Sequence, residues 1–258
     1  MGMETVTSKD GTSIAYERTG QGPALVLVGG AFMTRQSFAP LAEALAPEFD
    51  VVAYDRRGRG DSTITPPYAV ERELEDLAAV LDAAGGSFVY GMSSGAALAF
   101  LAAGSGLPIR RVSGMEPPYR VEGFPPITAA YGATLARLTE AGRFDDAVAH
   151  FMVNGVGQPK EVVDQMKADP FWPHLVALAH TLVHDNAVMA GYRLPAHLSR
   201  ISVPALVLSS TGSTPWLQAS AEAAASALPA GRHVQRDGGF HDLPPETIAA
   251  ALTEFFKG

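Results

Sequence analysis

Short apolar runs alternate with amphipathic helical stretches from the N-terminus to Met115, and that alternation admits few folds. Ala24–Val28 is an unbroken apolar run, as suits a strand covered on both faces, so it points to a mainly parallel sheet between helices. Asp50–Tyr54, Ser87–Tyr90 and Arg110–Met115 read as further strands. Val70, Leu74, Leu77 and Leu81 share one helical face that Gly85-Gly86 ends, and Ala96 to Ala103 forms another helix. An opening hairpin, Met3–Thr7 with Thr12–Arg18 about the turn Lys9-Asp10-Gly11, precedes this series.

The pattern breaks after Glu116. Pro117, Pro118, Pro125 and Pro126 interrupt any regular element, and helical periodicity then runs at about 127–141, 144–153, 160–168 and 174–190. The βα series resumes with Val203–Leu208, a helix near 215–227, a strand near Arg232–Arg236 and a last helix. In that helix Ile248, Leu252, Phe255 and Phe256 share a face. A helical block inside a βα series implies a lid over the carboxyl ends of the strands. The expected organisation is a core of residues 1–117 and 196–258 with a helical lid at 118–195.

Composition excludes several classes. With 258 residues, 47% of them hydrophobic and 18% charged, the chain can bury a sizeable core. It has no run of 18 uncharged apolar residues to cross a membrane, and Met1 to Asp10 has no apolar signal region. A net charge of −8 is a poor match to nucleic acid or an anionic membrane. Zero cysteines exclude disulfides and thiolate chemistry. The expectation is a cytoplasmic globular protein, monomer or homodimer, that takes a small molecule and neither nucleic acid nor membrane. Arginine outnumbers lysine and alanine is abundant, a composition of GC-rich bacterial genomes.

Gly91-Met92-Ser93-Ser94-Gly95 matches G-x-S-x-G between a predicted strand and a predicted helix. Ser93 would sit there on a sharp turn with small neighbours, its hydroxyl at the top of the sheet beside a helix N-terminus. The alternative is an ordinary left-handed turn without chemistry.

Together with Gly29-Gly30-Ala31-Phe32, Tyr54 to Ser62 and Gly238-Gly239-Phe240-His241, this motif resembles the α/β-hydrolase fold family over nearly the whole length. The resemblance implies an α/β fold: a mainly parallel twisted sheet flanked by helices, with an inserted helical lid. It implies a site in the chain order nucleophile, acid, histidine. His241, in a Gly-rich loop before the last helix, takes the place of the base. One departure is Gly29, where the family usually has a histidine.

The acid is the open position. The family commonly places it after the strand matched by Val203–Leu208, but the loop Ser209 to Pro215 has no carboxylate, and Ser213 stands about where the Asp would be. Glu116, directly after Arg110–Met115, is the candidate. That placement resembles the haloalkane dehalogenases that carry their acid one strand earlier, although those enzymes use an Asp nucleophile where this chain has Ser93. Glu116 therefore either orients His241 or merely caps the Pro117-Pro118 turn. Asp237 and Asp242 flank His241 too closely in sequence to reach its far nitrogen.

The resemblance places two oxyanion donors at the backbone N–H groups of Ala31 and Ser94. Phe32, Met92, Trp172 and Trp216, with lid groups such as Phe151, Met152, Met189 and Tyr192, are expected to line an apolar pocket. His180 and His184 are four apart but lack the Glu of a zinc-binding helix, so no metal is expected, and no cofactor. Asp55 to Ser62 reads as a loop brace, with its arginines outside the chemistry. The expected activity is a cofactor-independent serine hydrolase acting on an ester, lactone or thioester through an acyl-enzyme on Ser93. Lyase, cyclase or C–C bond hydrolase chemistry on the same fold, or a ligand-binding protein with a degenerate triad, are the alternatives.

Overall fold

A computed structural model describes residues 2–258. Eight strands among these residues form one sheet: β1 Glu4–Thr7, β2 Ser13–Gly20, β3 Ala24–Val28, β4 Asp50–Tyr54, β5 Phe88–Met92, β6 Arg111–Met115, β7 Ala205–Ser210 and β8 Gly231–Arg236. Their spatial order is β1-β2-β4-β3-β5-β6-β7-β8, antiparallel at β1–β2 and β2–β4 and parallel elsewhere. The chain leaves β3 for β4 on one side and returns to β5 on the other. A crevice therefore opens at the carboxyl ends of β3 and β5, where open α/β sheets bind ligands. Gly29-Gly30 and Ser93 stand at that point.

Among the described residues, ten α-helices accompany the sheet: α1 Ala39–Leu45, α2 Val70–Ala84, α3 Ser94–Gly104, α4 Ala129–Glu140, α5 Phe144–His150, α6 Lys160–Met166, α7 Trp172–Leu178, α8 Leu182–Val188, α9 Pro215–Ala227 and α10 Pro245–Lys257. Strand alternation divides the core between the two faces. Val26, Val52, Val89 and Val112 pack toward α2, α3 and α9, whereas Leu25, Val51, Tyr90 and Leu206 pack toward α1 and α10. Burial on both faces explains why β3 is wholly apolar.

The helices between β6 and β7 join the first of these clusters through Tyr131, Leu135, Val148, Trp172 and Leu182. Three details differ from the sequence expectation. The stretch 174–190 is broken into α7, a 3-10 turn Ala179–Thr181 and α8. The helix α5 continues as a π-turn, Phe151–Val156, that Gly157 ends in a left-handed conformation. The helix α1 was not anticipated; its seven residues put Leu41, Ala42 and Leu45 on the buried side.

Candidate active site

The loop after β5 is forced into its shape by close packing. A Cβ at Gly91 would lie 2.2 Å from the carbonyl oxygen of Gly95, and one at Gly95 would lie 2.2 Å from that of Val28. Only glycine fits either place. Ser93 takes φ 58° between them, while its N–H donates to the Met115 carbonyl at 2.9 Å. The turn thus presents Ser93 at the start of α3, with Gly30 packed behind it: a Cβ there would lie 2.8 Å from Ser93 Cβ.

Among the described residues, six non-glycine residues have positive φ: Phe32, Ser93, Glu116, Ala190, Tyr192 and His241. Phe32, Ser93, Tyr192 and His241 line one cavity of ≈ 370 Å³, and Glu116 bonds His241 behind it. Left-handed backbone costs about 1–3 kcal/mol per non-glycine residue and persists where surrounding structure enforces it. Here five of the six converge on one place.

Glu116 is fully buried at the end of β6. Its Oε2 accepts from His241 Nδ1 at 2.6 Å and its Oε1 from the Ser210 N–H at 2.8 Å. Burial pushes the carboxyl up, but the His241 bond and the Ser210 amide outweigh it and hold Glu116 below its ordinary value. Ser213, at the family's usual acid position, instead accepts the backbone N–H of His241 at 2.8 Å. A charge-assisted contact to Nδ1 fixes the tautomer and leaves Nε2 free to act as an acceptor. Ser93 and His241 share the cavity, and no hydrogen bond joins the Ser93 hydroxyl to the imidazole. Such links are often long before substrate binds.

Of the remaining residues singled out from sequence, Ala31, Ser94, Phe32, Met92 and Trp216 line the cavity. Among the described residues, the N–H groups of Ala31 and Ser94 meet no protein acceptor. Trp172 does not line the cavity, which corrects its expected place. It is buried among the inserted helices, where its Nε1 donates to Asp145 Oδ1 at 2.8 Å. An indole needs a partner when buried, and Asp145 on α5 supplies one away from the crevice. His180 and His184 do not converge: His180 bonds the Gly58 carbonyl at 2.8 Å, while His184 stacks on Tyr68 at 3.9 Å. No cluster of three or more metal-ligating side chains occurs among the described residues.

Part of the wall goes beyond the sequence expectation, which had Met92, Met152 and Met189 but not Met33, Met166 or any carboxylate. Five methionines line the cavity, namely Met33, Met92, Met152, Met166 and Met189. The carboxylate is Asp185 of α8, 2% exposed. It is bonded to Arg56 Nη1, Arg59 Nη2 and the Ser94 hydroxyl, each at 2.7 Å. The arginines of the loop after β4 therefore reach further than bracing their own loop.

A sequence profile of the Alpha/beta hydrolase family matches residues 25–251, and the chain belongs to that family. An alpha/beta hydrolase of solved structure from Sphaerobacter thermophilus is 52% identical, with 98% of this chain and 100% of that chain covered and a TM-score of 0.93. A thermophilic esterase from Thermogutta terrifontis, solved with malate bound, shares the fold at 23% identity, TM-score 0.74, over 100% of this chain and 98% of its own. The uncharacterized hydrolase YraK of Bacillus subtilis is 35% identical over 95 residues, 34% of this chain and 34% of its own length. The match to this curated relative spans about a third of that protein.

Proposed function

We propose that the protein is a serine hydrolase that cleaves an ester, lactone or thioester of an uncharged, moderately hydrophobic small molecule. The observation that carries this reading is the 2.6 Å Glu116–His241 bond, which aims a fixed imidazole into the cavity holding the strained Ser93. His241 Nε2 takes the Ser93 proton as Oγ attacks the carbonyl, and the amides of Ala31 and Ser94 receive the oxyanion. The protonated imidazole then gives its proton to the leaving group. A water deprotonated by His241 releases the acid and restores Ser93. General-base help is worth about 10²–10⁴-fold, and each oxyanion donor about 10²–10³-fold.

The wall supports the substrate class. Phe32, Phe151, Met152, Met189, Trp216 and Leu217 supply apolar surface. The one buried carboxylate there, Asp185, belongs to a cluster in which Arg56 and Arg59 balance Glu73 and Asp185. No net charge remains to hold an anionic acyl chain. Residues 118–195 act as a lid over a core formed by 1–117 and 196–258. Hydrolysis of p-nitrophenyl esters, run beside Ser93→Ala, tests the assignment. Turnover that rises with acyl length until the cavity is filled and vanishes in Ser93→Ala is expected. Equal turnover by both proteins would contradict it.

A further inference from the structure

One buried ion cluster holds the peptide that bears the Ala31 amide and the side chain of Ser94, which bears the other candidate oxyanion amide, and part of that cluster arrives from the inserted helices. Arg59 is 1% exposed; it donates from Nη1 to the Gly30 carbonyl and from Nη2 to Asp185 Oδ2 at 2.7 Å. Arg56 donates from Nη1 to the Gly29 carbonyl at 3.2 Å and to Asp185 Oδ1 at 2.7 Å. Its Nε and Nη2 grip Glu73 of α2 at 2.7 and 2.6 Å. The Ser94 hydroxyl closes the circuit on Asp185 Oδ1 at 2.7 Å.

The peptide bond is planar and trans, so C=O and N–H of one unit point in opposite directions. The Gly30 carbonyl and the Ala31 N–H belong to the same unit. An arginine fixed on that carbonyl therefore turns the Ala31 N–H away from itself and holds it there. Ser94 is tethered at its side chain to the same carboxylate, which limits rotation of the turn that carries its own N–H. We propose that the Arg59–Asp185 pair is the positioning device of the oxyanion site. In this arrangement Arg59 orients the Ala31 amide, Ser94 is anchored on Asp185, and the site is complete only when α8 is docked.

Asp185 is a positioning residue, since it acts through Arg59 and Ser94. A carboxylate is needed there for two reasons. It accepts from three donors at once, which an amide oxygen alone cannot match, and it balances a guanidinium that would otherwise be buried against Glu73 only. Burial pushes the Asp185 carboxyl up, and the charges of Arg59 and Arg56 override this to bring it down to about 2.

This inference rests on the serine hydrolase reading, and its test separates the two. Wild type, Ser93→Ala, Asp185→Asn and Ser94→Ala are compared for ester hydrolysis and for inhibition by an alkyl boronic acid, which forms an oxyanion-like adduct. An apolar alcohol competitor, which needs no oxyanion donor, is the control ligand. Asp185→Asn should lower kcat about 10–100-fold with KM nearly unchanged and weaken the boronate by a similar factor. The alcohol should bind as before. Ser94→Ala keeps its backbone N–H and should show the same pattern more weakly, about 3–10-fold; it carries the test if Asp185→Asn does not fold. Full kcat in the folded variants, a loss confined to KM, or equal weakening of boronate and alcohol would overturn the positioning role. Absence of turnover in wild type would instead defeat the underlying reading.

Discussion

Two polar clusters meet at the carboxyl ends of β3 and β5, and they are built on opposite plans. The Glu116–His241 pair joins the ends of β6 and the loop before α10, and its imidazole is 24% exposed at the cavity wall. The Arg56–Arg59–Glu73–Asp185 cluster is almost wholly buried, with side chains 1–2% exposed. The first keeps one nitrogen free, so a proton can move. In the second every carboxylate is engaged by cations, so nothing moves. A site that must do chemistry near neutrality needs both kinds: one group poised to change charge, and a fixed frame that does not respond.

The largest expected effect sharpens the first cluster. Ser93→Ala should cost on the order of 10⁶-fold in kcat, as the loss of a nucleophile does elsewhere. Glu116→Gln should cost about 10³–10⁴-fold. The amide would donate to His241 Nδ1 and force the proton onto Nε2, the nitrogen that must accept. Because Ser213 already touches the His241 backbone at 2.8 Å, adding Ser213→Asp to Glu116→Gln should recover activity about tenfold or more by restoring a carboxylate beside the imidazole. No recovery would show that Ser213 lies out of reach of Nδ1.

How much of this was visible in the chain differs between the clusters for a physical reason. Ser93, His241 and Glu116 each sit next to a strand end that betrays itself: G-x-S-x-G, a Gly-rich loop, and a carboxylate directly after a strand and before Pro117-Pro118. Sheet order brings those ends together, so reading the strands suffices to bring the residues near. Asp185 has no such signature. It lies in a seven-residue inserted helix, 91 residues from Ser94 and 126 from Arg59, and only the docking of α8 reveals its partners. Trp172 fails in the opposite sense. A large aromatic in an inserted helix looks equally suited to core or cavity, and the choice was made by Asp145, which offers its indole a hydrogen bond elsewhere. Met92, Met152 and Met189 were legible beside the elbow and in the inserted helices, whereas Met33 and Met166 were not, because an isolated Met fits any apolar position. In the fold, α1 was missed because only three of its residues are buried and it spans two turns.

Smaller effects test the frame around both clusters. Gly30→Ala would bring a Cβ to 2.8 Å from Met92 O and Ser93 Cβ; a displaced elbow should lose about 10–100-fold in kcat/KM. Trp172→Phe should leave KM unchanged and cost about 1 kcal/mol of stability, through the lost bond to Asp145. A change in acyl-chain preference in that variant would return Trp172 to the cavity wall. Burial pushes His184, stacked on Tyr68, down to about 4. The unfolded chain therefore binds the proton first, so this contribution is intact above about pH 6.5 and is lost as pH falls toward 4. His184→Phe should flatten the melting temperature across that window; an unchanged slope would contradict neutral burial.

Intact-mass analysis after exposure to a fluorophosphonate reads the central step most directly, because phosphonylation requires a hydroxyl activated by a base. One adduct per chain, mapped to the peptide carrying Ser93, absent in Ser93→Ala and much slower in Glu116→Gln, is expected. An unmodified wild-type chain, or an adduct that forms at the same rate without Glu116, would mean that the imidazole and its buried carboxylate do not activate Ser93.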